Sequence, residues 1–437
     1  MDNQLYERCR DAVEIAKRAG ANDAWIHASR SHYVNFEMRD GVLEKVEDST
    51  SRGLTALLWV EGRYSANATT DLRPDELNKF IREAVDVTRA LQEDPFRKIT
   101  DPALFANRPT VDLDLVDPSI SSVTREQRLE LLQTMNSRLQ GQDKVVSATC
   151  YVGTSHNRVA SASSNGFEGG YESTYMGLGA RVTLDDEGKR PSESDGGGGR
   201  HREELPDPAT TADQALIRAR AQLGSVKGPT AKTTMVVHPR IADSIVGRLL
   251  GPLSGSALQQ RRSFWADRLG QLAVSPKLSI IDDPLVVRGL ASRLYDGEGI
   301  SSQTRPIIAA GMLRNYYIDT YYGRKLDMTP TSGGRSNLLV DLGDKGLDEL
   351  ISDVGDGILV TNWLGGNADG TSGDFSLGVR GHLISNGQIG APVTEMNVTG
   401  NLLSLFAGLE ELGNDPWRYN SIKAPTLVFK DVNFSGA

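Results

Sequence analysis

The chain has 437 residues, 38% of them hydrophobic and 24% charged, which is enough for two or three domains with cores of their own. Its formal charge of −9 speaks against a dedicated nucleic-acid binder, which needs a cationic face for phosphates. Two cysteines, Cys9 and Cys150, make no disulfide scaffold, and no apolar run approaches the ~20 residues of a membrane span. No nucleic-acid and no membrane partner is therefore expected.

The first stretch, MDNQLYERCRDAVE, is charged and lacks the apolar core of a signal peptide, so a reducing cytoplasm is the expected location. Residues 4–19 predict a helix, with Leu5, Cys9, Ala12, Val13 and Ala16 on one face and Gly20 stopping it. Period-two patterns follow through residue 70, with Asp40-Gly41 and Glu61-Gly62 as turns. A second helix is predicted at 74–91, opened by Pro74. Pro95, Pro102, Pro109 and Pro118 mark 94–118 as a linker.

Thr124 with Gln127 resembles a capping box that opens a helix to about 140. Strands come next, turned by Asn165-Gly166. The run ESDGGGGRHREE (193–204) lacks the spacing of a phosphate-binding loop and reads as a flexible loop. A helix at 207–223 leads to the strand TTMVVH and then to Pro239, which suits a first helical turn with His238 near the cap. Ile241, Ile245, Val246, Leu249, Leu250 and Leu253 form the core-facing stripe of that helix. Beyond 270 the chain is rich in strand formers and glycine turns. The pattern predicts an α+β protein: an N-terminal α/β domain with a curved antiparallel sheet flanked by helices, followed by a β-rich C-terminal domain.

Catalytic patterns are scarce. A catalytic zinc helix carries two histidines one turn apart and a glutamate base beside the first. Here Pro239 follows His238, and Ala242 and Asp243 stand where a second histidine would be. Of the six histidines only His27 and His32 lie within five residues, in a strand pattern that points them to opposite faces. There is no GxSxG elbow, and both cysteines read as core. Arg240, Arg248, Arg261, Arg262 and Arg268 form a local basic run that reads as solvated helix faces and a subunit contact.

Three segments carry a family resemblance. FEMRDGVLEKVEDSTSRGLTALLWVEGRYSANATT (36–70) places an Arg-Asp-Gly turn before a second strand. RGLASRLYDGEGISSQTRPIIAAGMLRNYYIDTYYGRKLDM (288–328) places an Asp-x-Glu-Gly turn before a glycine-led strand. NWLGGNADGTSGDFSLGVRGHLISNGQIGAPVTEMNVTGNLL (362–403) centres on SGDFS and ISNGQI. In this order they resemble the TldD/PmbA family over nearly the whole chain. The resemblance implies an N-terminal family domain at 1–110, a central domain at 118–226 and a β-rich C-terminal domain at 233–437.

In TldD-like members the zinc ligands are His-Glu-x-x-x-His on this helix and a late cysteine. Aligned here, that motif falls near Arg248-Leu249-Leu250-Gly251-Pro252-Leu253, and no cysteine follows Cys150. Both absences place the chain on the TldE (PmbA)-like branch without the zinc motif. The resemblance implies a non-metal subunit of a TldD–TldE-type zinc metalloprotease that cleaves unfolded or short peptides and matures peptides. The subunit would form part of the peptide channel, with no catalytic or metal-binding residue of its own and zinc in a TldD-like partner.

Substrate contacts are expected at Gly365, Gly366, Asn367, Ser372 and Gly373, where absent side chains permit close approach. Tyr316 and Tyr317 are expected beside them, tyrosines that alternatively pack within a sheet. Two other readings remain open. One is an autonomous homodimeric peptidase, which needs Asp296, Glu298 and His382 to converge. The other is a non-enzymatic peptide-binding regulator that pairs with itself.

Overall fold

The computed structural model describes residues 3–436. Its first half comprises helix α1 (Asn3–Arg18), strands β1 (Asp23–Arg39), β2 (Val42–Val60) and β3 (Arg63–Thr69), helices α2 (Pro74–Arg89) and α3 (Arg125–Leu139), strands β4 (Val145–Ser163), β5 (Glu168–Leu184) and β6 (Ser192–Gly199), and helix α4 (Pro208–Arg220). The six strands form one antiparallel sheet in the order β3-β2-β1-β4-β5-β6. Residues 1–110 and 118–226 thus contribute three strands each to a continuous sheet.

The long strands explain how two helix pairs share one face. Along β1 the even residues Ala24, Ile26 and Ala28 pack with Cys9, Ala12 and Ala16 of α1 and with Ile81 and Val85 of α2. Farther along the same face, Val34, Phe36 and Met38 pack with Leu132 and Met135 of α3 and Ala215 and Ala219 of α4. Thr124 and Gln127 make the capping box of α3. Between the two apolar ends the rows carry Arg30 and His32, cross-strand from Arg52, Thr50, Arg158 and His156.

The glycine run expected as a flexible loop is instead β6. It pairs with β5 from Met176 to Thr183. A Cβ on Gly198 would lie 2.3 Å from the Met176 carbonyl oxygen and 2.7 Å from the Tyr175 hydroxyl, so only bare backbone fits there.

The second half contains β7 (Val226–Lys227), β8 (Ala231–Val237), α5 (Pro239–Leu250), α6 (Gly255–Gln259), β9 (Ile280–Asp283), β10 (Arg305–Ala309), β11 (Met312–Leu313), α7 (Thr320–Leu326), β12 (Asn337–Val340), α8 (Leu347–Val354), β13 (Gly357–Ala368), β14 (Asp374–Ser385), β15 (Gln388–Asn401), α9 (Leu402–Ala407), β16 (Leu409–Leu412), β17 (Ile422–Lys423) and β18 (Leu427–Ser435). Strands β18, β8, β13, β14 and β15 pair in turn, and β18 also pairs with β15, which closes a ring. A second sheet runs β11-β10-β9-β12-β17. The stripe of α5 packs against both, with Ile245, Val246, Leu249 and Leu250 at most 1% exposed. The fold is α+β with an antiparallel N-terminal sheet and a β-rich second half. No helix among the described residues is long and apolar enough to cross a membrane.

Candidate functional site

Strand β8 delivers the chain to α5. Its parallel partner β13 fixes the join, since the His238 amide donates to the Val360 carbonyl at 3.0 Å. His238 is the N-cap, its Nδ1 accepting the Arg240 amide at 3.3 Å, and Pro239 opens the first turn. Burial, then the cations of Arg218 and Arg240, push the His238 imidazole down to about 3, so it stays neutral.

Around this cap the two halves of the molecule are joined by charge. Arg240 is ion-paired with Asp195 of β6 and lies 3.9 Å over the Trp417 ring. Arg380 of β14 holds Glu193 of β6 at 2.7 Å and donates to the Ser192 carbonyl at 3.0 Å. Arg218 of α4 stands 4.0 Å from the same carboxylate, whose side chain is 5% exposed. Arg240 is therefore not the solvated helix residue expected above. Its partners, Asp195 and Trp417, lie in two separate segments, and nothing local in the sequence marks them.

Most of the expected substrate contacts lie at the end of β13 and in the loop that follows it. Gly365 and Gly366 occupy φ +119° and +110°, at an irregularity in the pairing of β13 with β14. Both, with Asn367, are exposed. A Cβ on Gly366 would lie 2.1 Å from the Ser376 carbonyl oxygen, while one on Gly365 would meet open space. The connection onward is a tight loop. Asp369 accepts the Thr371 amide at 2.6 Å and the Ser372 amide at 3.4 Å, which holds its carboxyl below the usual range. The Ser372 carbonyl accepts from Asn401 at 2.8 Å, and the Gly373 carbonyl from the Leu402 amide at 2.8 Å. Gly370 bonds the Phe264 amide at 2.9 Å, and a Cβ there would sit 3.4 Å from Pro252. The glycine loop thus rests on the segment just beyond α5.

Tyr316 and Tyr317 serve that segment from below. They are 6% and 3% exposed, inside the core. The Tyr316 hydroxyl donates to the Trp265 carbonyl at 2.7 Å, and the Trp265 indole donates to the Leu249 carbonyl at 2.7 Å. The Tyr317 amide donates to Leu253 at 3.0 Å, and its carbonyl accepts from Gly255 at 2.8 Å. In this structure both tyrosines brace the end of α5 and neither faces the surface that bears Asn367.

Asp296 and Glu298 share one turn, while His382 bonds elsewhere. Asp296 accepts the amides of Glu298 and Ile300 at 2.9 and 3.0 Å. Glu298 accepts the amide and hydroxyl of Thr320, each at 2.8 Å, and burial pushes its carboxyl up. His382 bonds the Ala221 carbonyl at 3.0 Å.

Residues 230–436 match the family model of the PmbA/TldA metallopeptidase C-terminal domain, and residues 118–223 match that of its central domain. The chain belongs to the PmbA/TldD family. Among its relatives, Metalloprotease PmbA of Escherichia coli O157:H7 is 26% identical over 99% of this chain and 96% of its own. A structure from Bacteroides thetaiotaomicron, described as that of a candidate modulator of DNA gyrase, is 36% identical over 100% of both chains, with a TM-score of 0.97. TldE of Thermococcus kodakarensis shares the fold at 16% identity, covering 98% of this chain and 100% of its own, with a TM-score of 0.86.

A metallopeptidase description implies a metal, and the α5 region of this PmbA/TldD-family chain does not fit one. Positions 248–253 hold a guanidinium, three leucines, a glycine and a proline, with Leu249, Leu250 and Leu253 at most 1% exposed in the core. None of these side chains offers a lone pair to a cation. His238 lies at the opposite end of the helix between two arginines. Among the described residues no three His, Cys, Asp or Glu side chains are grouped as ligands would be.

Proposed function

We propose that this chain is the TldE/PmbA-like, non-metal subunit of a two-subunit zinc peptidase. It joins a TldD-like partner that carries the metal, and together they cleave unfolded or short peptides. One observation carries the reading: the α5 segment that would bear the zinc motif is filled by packed leucines, while the chain presents exposed backbone at Gly365–Asn367 and a loop resting on Pro252. This chain's contribution is then to grip and enclose extended substrate, for which bare backbone suits close main-chain approach.

The test is reconstitution. The purified chain should hold no stoichiometric zinc and cleave no peptide, and hydrolysis of unfolded peptides should appear when a family member bearing His-Glu-x-x-x-His is added. Zinc bound one-to-one by the isolated chain, with peptide hydrolysis, would overturn the reading.

A further inference from the structure

Strand β5 is paired on both sides only for part of its length. β4 runs beside it from Glu168 onward, but β6 begins at Met176. Over Glu168–Tyr175 its outer edge has no strand. The Thr174 amide points outward and is taken by the Leu115 carbonyl at 2.9 Å. By the alternation of an antiparallel ladder, the amide and carbonyl groups of Gly170 and Glu172 point the same way. Neither residue has a main-chain partner on that side among the described residues.

A cleft of about 360 Å³ opens at this point, between the β5 edge and the linker at 111–116. Its walls include Val111, Leu113, Leu115, Tyr171, Leu294 and Tyr295. Gly170 carries no side chain because Tyr6 packs on it, its hydroxyl 2.2 Å from where a Cβ would lie. The charges are unequal. Glu172 is paired with Arg158, and Asp114 with Arg288. The Arg293 guanidinium is held by the carbonyls of Gly334 and Arg335. Asp112 is exposed, and among the described residues its carboxylate accepts only the Asp114 amide.

We infer that this cleft is a docking slot for an extended peptide segment that adds to the β5 edge by main-chain hydrogen bonds, seats an apolar side chain against Val111 and Leu113, and places a basic side chain near Asp112. An exposed strand edge is a template for another extended chain, and an apolar cleft of this size selects alternate side chains. The slot lies apart from the loop on Pro252. It rests on the peptide-handling reading for its occupant.

The test uses the purified full chain alone, at physiological ionic strength, and a fluorescein-labelled Lys-Val-Lys-Val-Lys-Val-Lys probe followed by anisotropy. Saturable binding is expected. N-methylation of one alternate set of residues should weaken it at least ~10-fold and of the other set less than about twofold, the mark of pairing along one edge. Val111→Trp, which fills the slot without changing charge, should also weaken it at least ~10-fold. Asp112→Lys should reverse the preference for this probe over its Glu counterpart. Absent binding, or binding indifferent to both N-methyl sets and to Val111→Trp, overturns the slot. So does a wild-type dimer that Val111→Trp dissociates, which would make the occupant a second copy. Failure here with intact joint hydrolysis sinks the slot alone, and intact binding without joint hydrolysis sinks the subunit reading alone.

Discussion

Arg380 of β14 and Glu193 of β6 meet 2.7 Å apart, with the Glu193 side chain 5% exposed, at the seam between the N-terminal sheet and the barrel. Removing one partner of such a pair leaves a charge buried and uncompensated. Glu193→Ala is expected to cost about 3 kcal/mol, whereas the double change Glu193→Leu with Arg380→Met should recover only part of it, because Arg218 also loses this carboxylate. Urea midpoints of the three proteins check this. A single change as mild as an exposed ion pair, under ~1 kcal/mol, would show that the seam is solvated.

The two neighbouring glycines of β13 should answer differently to a methyl group. Gly366→Ala meets both a positive φ and the Ser376 carbonyl, and is expected to cost about 2–3 kcal/mol. Gly365→Ala meets only the φ term and should cost about 1 kcal/mol. Thermal denaturation of the two variants decides, and equal losses would contradict the close approach.

His238 supplies an acid-sensitive element. Its imidazole is held down to about 3 in the folded chain, against an ordinary value of 6.5. Between these values the unfolded chain binds a proton that the folded chain refuses, so stability falls as pH drops below about 6.5. The slope is at most about 1.4 kcal/mol per pH unit from this group. His27, pushed by burial to about 4, adds a similar contribution. His238→Asn keeps a capping oxygen and should flatten the slope between pH 6 and 4 in denaturant titrations. An unchanged slope would mean that His238 is solvated.

Asn367 is exposed and makes no side-chain hydrogen bond among the described residues. Asn367→Trp should alter stability by less than about 0.5 kcal/mol. In the reconstituted pair it should reduce peptide hydrolysis at least ~10-fold by crowding the exposed backbone beside it. Full activity would remove the loop from the substrate path.

How much of this was legible in the sequence depends on the range of the interaction. The capping box of Thr124 and Gln127, the Pro239 helix start and the stripe of α5 are local periodicities, and each lies where the spacing predicts. The stretch 193–204 reads as a loop because the reason for its glycines is tertiary: at Gly196 and Gly198 the Leu178 and Met176 carbonyls and the Tyr151 and Tyr175 hydroxyls exclude side chains. Arg240 was misread for the same cause, since Asp195 and Trp417 come from distant segments. Tyr316 and Tyr317 carry the composition of a binding surface, but their burial follows from where Trp265 and Leu253 fall. The free edge of β5 leaves no trace in a single sequence, because it arises from where β6 stops.

The closing strand of the ring, β18, follows β8 by about 190 residues, yet it lies beside β8 and seals against β15. During synthesis at 5–20 residues per second, β8 waits roughly 10–40 s for that neighbour to leave the ribosome. Meanwhile the apolar flank of α5 has only part of its cover. The six-stranded sheet and its two helix pairs are complete once α4 has emerged at Arg220 and can settle first. Nascent chains stalled before Leu427 should therefore hold a protease-resistant amino-terminal portion and a vulnerable remainder, the state in which a chaperone would find this polypeptide.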